Sequence, residues 1–215
     1  MKKQQRTQLC IALGFLLGFV IWTALVCCVD VQPIGPQGSP VGFASLNRHV
    51  HAFTGVYLPL YTATDWLGLV PLGTALSFAG LGLMQWIQRK QLGKVDKSLL
   101  VLGGFYAVVI GTYLLFEALA INYRPILIDG QPEPSYPSST TLLVLCVMPT
   151  ALLQLRTRIA SKRIKGWLSF AIVAFVTFMV VGRFLSGVHW ISDIIGGALL
   201  SAGLVMTYHA VSRSC

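Results

Sequence analysis

The chain has 215 residues, 55% of them hydrophobic and 11% charged, with a mean hydropathy of +0.72. Those values exclude an ordinary soluble globular domain and point to a polytopic membrane protein. The net charge of +9 would suit a nucleic-acid binder, but the basic residues form short clusters between apolar runs, as in loops facing an anionic leaflet, so no nucleic acid is implied.

After Lys2, Lys3 and Arg6, the run from Leu9 to Val29 is 21 residues without a charge. It is long enough to span a bilayer and long for a cleaved signal peptide, which predicts a retained first helix. Residues 30–65 form the one long hydrophilic interval and open on a Pro/Gly-rich stretch from Pro33 to Pro40. Phe43, Leu46, Val50, Phe53 and Tyr57 then recur at helical spacing, which predicts an amphipathic helix over 43–57 lying along the membrane surface. His49 and His51, two residues apart on such a helix, point different ways and read as solvated positions rather than metal ligands. Further spans are predicted at 67–87, 99–120, 138–155, 167–182 and 188–209, with Glu117 near the end of the third and Pro149 inside the fourth as a kink. In the last span Gly197 and Ser201, and Ala198 and Ala202, stand four apart for close helix packing. Five cysteines (Cys10, Cys27, Cys28, Cys146 and Cys215) match neither a zinc site nor a disulfide framework, and they read as small apolar residues. There is no internal repeat; the expectation is one all-α domain over 1–215, a bundle of six transmembrane helices with an extracytoplasmic amphipathic helix.

With the N-terminus inside, alternating loops put 13 of the 16 basic residues in the cytoplasm and leave Arg48, Arg124 and Arg183 outside. The positive-inside rule therefore predicts two cytoplasmic termini in the cytoplasmic membrane. Arg124 and Arg183 break that rule, and an anionic substrate would give them a reason to be there. Gly182 to Asp193 reads GRFLSGVHWISD. A helix beginning near Val188 would stack His189 and Asp193 on one face, so that the carboxylate holds one imidazole nitrogen and leaves the other free to attack or take a proton. Ser186 and Gly187 would let the chain turn so that the planar fork of Arg183 faces the same point. Between spans three and four lie Asn122-Tyr123-Arg124-Pro125 and Ser135-Tyr136-Pro137-Ser138-Ser139-Thr140-Thr141, a helix start with Ser138 or Ser139 as N-cap. Free N–H groups at such a start also suit a phosphate.

Together these pieces resemble the three-part signature of the type-2 phosphatidic acid phosphatase family, which includes the vanadium haloperoxidases. Gly182-Arg183-x5-His189-x3-Asp193 is similar to the third part except for its leading serine. Tyr123-Arg124-Pro125 resembles the end of the first, and Pro137-Ser138 the start of the second. The resemblance implies an extracytoplasmic site in which His189 attacks phosphorus and becomes phosphohistidine. Asp193 would orient the ring, while Arg124, Arg183 and Ser138 would hold the equatorial oxygens. Ser139, Thr140, Glu117 and Tyr123 are the expected substrate-contacting residues. No metal or cofactor is implied; the expected partners are the bilayer and a lipid phosphate such as undecaprenyl pyrophosphate, phosphatidic acid or phosphatidylglycerol phosphate. Two positions depart from the pattern: the family's lysine falls at Glu117, and its acid histidine falls at Thr140, which cannot protonate a leaving oxygen. Glu117 would then either act as a protonated acid or pair with Arg124 or Arg183. A phosphate leaving group would suffer least from the missing acid, so a diphosphate substrate or a phosphotransfer reaction is favoured. The alternatives are a non-catalytic lipid-phosphate binder and a transporter. The hydrophobicity excludes a soluble haloperoxidase.

Overall fold

In the computed structural model, which describes residues 3–212, the chain is all-α. Eight helices form: α1 (Lys3–Cys28), α2 (Ala44–Thr54), α3 (Leu58–Leu67), α4 (Leu69–Arg89), α5 (Lys97–Leu119), α6 (Ser139–Arg158), α7 (Lys162–Leu185) and α8 (Ile191–Ser212). Six stretches are long and apolar enough to cross a membrane, with α3 and α4 joined into one of 32 residues. Lys2, Arg213 and Cys215, which figured in the charge and cysteine readings, lie outside the described residues.

Helix α8 is the centre of the bundle because its small residues let neighbours approach. Packing and interhelical hydrogen bonds, rather than hydrophobic burial, hold helices together in lipid. A side chain at Gly203 would meet Leu16 of α1 at 2.7 Å, and one at Gly197 would meet Ser138 O at 3.2 Å. Ser201 Oγ bonds its own turn at Gly197 O, 2.7 Å, and reaches Leu142 O of α6 at 3.5 Å. The Tyr136 ring lies on Gly196, where any Cβ would sit 2.6 Å from it. The Tyr136 hydroxyl is 2.7 Å from Thr23 Oγ1 of α1, and its ring stacks on Phe19. At the opposite end a polar cluster ties three helices. Arg158 pairs with Asp96 at 2.9 Å, and Gln154 Nε2 donates to Tyr208 Oη (2.7 Å) and to Ser98 O (3.1 Å).

Several boundaries differ from the sequence reading, for local reasons. The second span starts at Leu58 rather than 67, because Leu58–Leu67 is itself an apolar helix, so Asp65 lies within a span and not in a hydrophilic loop. The fifth span starts at Lys162, with Ser161 accepting from the Ile164 N–H as N-cap. The last starts at Ile191 rather than 188, since Val188 to Trp190 complete the turn after α7.

The amphipathic helix forms over Ala44–Thr54 and turns apolar residues outward, Phe53 being 88% exposed, while Ala44 and Asn47 on its inner side are fully enclosed. Asn47 Oδ1 accepts from Ser192 N (3.2 Å), and its Nδ2 donates to Ser192 Oγ (2.9 Å) and Gly42 O (2.7 Å). Asn47 thus caps α8 from another helix, satisfying a donor that the first turn of α8 leaves open. His51 is likewise not a solvated position; its Nε2 lies 3.0 Å from Gly187 O and its ring rests against Trp190.

Candidate active site

The turn between α7 and α8 carries His189 and is clipped in place by the segment joining α2 to α3. Tyr57 N donates to Ser186 O at 3.0 Å, and Gly187 takes φ +67°, where glycine is favoured. A Cβ on Gly187 would meet Gly55 O at 1.8 Å, so no other residue fits without moving a backbone. Gly187→Ala should therefore lower the melting temperature and abolish any turnover together, whereas Gly103→Ala, inside α5 with open space around it, should leave turnover unchanged and not lower the melting temperature. Equal behaviour of the two variants in thermal melts and activity would refute the clip.

His189 follows that turn and Asp193 lies one helical turn on, at N3 of α8. Its Oδ2 accepts from Trp190 N (3.1 Å), the acidic half of a capping box, while its Oδ1 accepts from Asn122 Nδ2 (3.1 Å) and Ser192 Oγ (3.4 Å). A fully buried carboxylate needs that many partners. Its Oδ2 also lies 3.7 Å from His189 Nδ1, an ion-pair distance longer than a hydrogen bond, so it faces the ring without locking it. Burial pushes the imidazole down to about 4; Asp193 opposes the shift, and Arg124 and Arg183 reinforce it. At neutral pH the ring is therefore uncharged and has a lone pair to offer.

The two arginines come from opposite sides. Arg183 ends α7, is 2% exposed, and lies 4.8 Å from the Tyr61 ring centroid, while Arg124 approaches the same ring at 5.7 Å. Arg124 is set by a tight hairpin in which Arg124 N donates to Glu133 O and Ser135 N to Asn122 O. Glu133 Oε2 stands 3.0 Å from Arg124 Nε without the alignment of a hydrogen bond. Arg183 donates from Nε and Nη2 to Thr140 Oγ1 (3.0 and 2.7 Å) and from Nη2 to Asp65 Oδ1 (2.7 Å). Among the described residues, seven buried side-chain N or O atoms lack a hydrogen-bond partner, and four of them are His189 Nδ1 and Nε2 and Arg124 Nε and Nη1. Buried polar groups are almost always satisfied, so this concentration marks a place built for an outside acceptor.

Of the residues singled out in the sequence, Asp193 joins His189 and Ser138, Arg183 joins Thr140, and Arg124 and Arg183 share the Tyr61 ring. Ser138 occupies the N-cap position of α6, yet its side chain does not cap; its hydroxyl accepts from Thr141 Oγ1 (3.0 Å), and its backbone N–H donates to Asp193 O (3.1 Å). Tyr123 enters through its carbonyl, which accepts from Trp190 Nε1 at 2.8 Å. Ser139 and Glu117 line a small crevice beside the cluster. Glu117 pairs with neither arginine; the carboxylates that do so are Glu133 and Asp65. Asp65, Glu133, Asn122 and Asn47 were missed by sequence reasoning. A buried arginine in an apolar span needs an anion, and Asp65, directly before the apolar run from Trp66, was the available signal. A groove of about 380 Å³ between α4, α5 and α6 runs from Thr140 and Ser139 to Leu72, Ile110 and Leu143.

An uncharged histidine beside two guanidiniums, at one end of six lipid-length helices, defines a polytopic membrane protein equipped to handle an oxyanion. The family is settled by comparison: the PAP2 superfamily model matches residues 73–214, about two thirds of the chain, and the chain belongs to that superfamily. Among solved structures, the first transmembrane PAP2 type phosphatidylglycerolphosphate phosphatase from Bacillus subtilis is similar, with a TM-score of 0.53 at 20% identity over 94% of this chain and 95% of that one. That likeness establishes the shared fold. No curated protein matches the chain.

Proposed function

We propose that the protein is a membrane lipid-phosphate phosphatase working through a phosphohistidine on His189. The observation that carries this reading is the pair of unpartnered nitrogens on a buried, uncharged His189, faced by Asp193 and flanked by Arg124 and Arg183. His189 Nε2 attacks phosphorus, the P–N bond forms and the P–O bond to the lipid breaks. Asp193 stabilises the proton on Nδ1 as the ring becomes cationic. Arg124 and Arg183 hold the equatorial oxygens, and the Ser138 hydroxyl is free to donate to one of them. Water then attacks phosphorus, releasing phosphate and regenerating the imidazole. Thr140 supplies no acid, so a leaving group that departs as a phosphate is favoured over a lipid alkoxide. The groove ending at Thr140, apolar along most of its wall, suits a substrate whose tail stays in lipid. The site lies at the end of the bundle away from the basic loops, which the positive-inside rule assigns to the extracytoplasmic face, with both termini in the cytoplasm.

The test is release of inorganic phosphate by purified protein from a panel of lipid monophosphates and diphosphates; release from none of them would sink the reading. Its pH dependence follows from His189. The neutral ring is the nucleophile, and protonation removes it, so with the pKa depressed to about 4 the acid limb of kcat/KM should lie near pH 4. After correction for substrate ionisation, a limb near pH 6.5 would instead indicate an imidazole in contact with water.

A further inference from the structure

Both arginines of the site rest on one aromatic ring. The guanidinium carbon of Arg183 lies 4.8 Å from the Tyr61 ring centroid and that of Arg124 lies 5.7 Å from it. Both distances fall in the range at which a ring face attracts a cation. Close packing puts the ring there. Residue 182 is a glycine, and a Cβ on it would meet the Thr64 methyl at 2.8 Å and Leu60 Cδ1 at 3.5 Å, so α3 lies directly on the last turn of α7. Tyr57 N, donating to Ser186 O, fixes the start of α3 on the same turn, and Tyr61 follows one helical turn later. The Tyr61 carbonyl accepts from Arg183 Nη1 at 3.5 Å. A ring offers an arginine something that a carboxylate or an amide does not. A hydrogen-bonding partner takes up N–H groups, whereas an aromatic face attracts the cation and leaves every N–H uncommitted. The difference shows on Arg124, which is buried and yet has Nε and Nη1 without a hydrogen-bond partner. Arg183 is anchored besides by Thr140 and Asp65, so the ring matters most to Arg124. Two guanidiniums held close together, away from water, repel each other, and an electron-rich face touching both offsets part of that repulsion.

Resting on the phosphatase reading above, we propose that Tyr61 is a positioning residue: its ring face holds Arg124 beside Arg183 before substrate binds, so that a phosphate meets two guanidiniums already in place with the Arg124 donors free. Tyr61 belongs to none of the three signature segments, and it acts through the arginines rather than on the substrate.

The experiment measures binding rather than turnover. Inorganic phosphate is titrated calorimetrically into the full-length protein, with a thermal melt of each variant alongside. Tyr61→Leu, apolar but without a π-face, should weaken phosphate binding by about tenfold, the scale of losing two partly desolvated cation–π contacts. Tyr61→Phe, which restores the face and leaves out the hydroxyl, should bring the affinity back to within about twofold of the unaltered protein. Tyr61→Met, apolar and flexible, gives a second measurement without a face should the leucine variant misfold. A loss in the phenylalanine variant equal to that in leucine would mean that the hydroxyl, not the face, is at work. Unchanged affinity in the leucine and methionine variants would leave Tyr61 a packing residue. Either result overturns the assignment, as does a protein that binds no phosphate in any form. The expected pattern in a protein that releases phosphate from no lipid sinks the phosphatase reading alone. Turnover with an unmoved affinity in the leucine variant sinks this inference alone.

Discussion

His189→Ala should reduce phosphate release by roughly 10⁴–10⁶-fold, the scale seen when a nucleophile is removed from a site whose parts act as a unit. The fold should survive, because neither ring nitrogen is hydrogen-bonded and the capping of α8 runs through Asn47 and Asp193 instead. Deleting the ring costs packing, not a satisfied polar network. The measurement is phosphate release from the best lipid of the panel, alongside a thermal melt and an acid quench for labelled phosphoprotein. The wild type should trap label on histidine and the variant none. A variant within tenfold of wild type, with its melting temperature unchanged, would remove His189 from the reaction.

The second large effect belongs to Asp193→Asn, expected to lower kcat by about 10³–10⁴-fold. An asparagine keeps the shape, and its one oxygen can still accept either from Trp190 N or from Asn122 Nδ2. Turned the other way, its amide donates to His189 Nδ1, and the ring proton then sits on Nε2, the nitrogen that must attack. The loss should therefore appear in kcat and in the rate of phosphoenzyme formation, while binding of inorganic phosphate changes little. Loss of phosphate affinity in step with kcat would mean that Asp193 builds the pocket rather than orients the imidazole.

Much of this architecture was legible in the residues. The spans are long apolar runs whose ends are set by charge, and His189 and Asp193 stand one helical turn apart as their four-residue spacing predicts. What was not legible depends on contacts across the chain. Leu58 to Leu67 carries an aspartate and a proline, so composition placed Asp65 in a loop, and only the approach of α3 to α7 makes it a partner of Arg183. Glu117 is seven positions before Arg124 and looked like its partner; the hairpin that supplies Glu133 instead is closed by backbone bonds that no side-chain pattern announces. The helix over 44–54 shows its apolar periodicity plainly, yet its inward face is chosen by what Asn47 and His51 satisfy at the start of α8 and the turn before it. Periodicity gives the face of a helix, and buried donors decide which way it turns.

The polar knot of Asp96, Ser98, Gln154, Arg158 and Tyr208 sits at the end of the bundle remote from His189 and shares no partner with it. Robustness in detergent and rate of reaction thus have separate addresses in this chain. An engineer could harden the protein for purification by reworking that far end of the bundle and leave the chemistry as found.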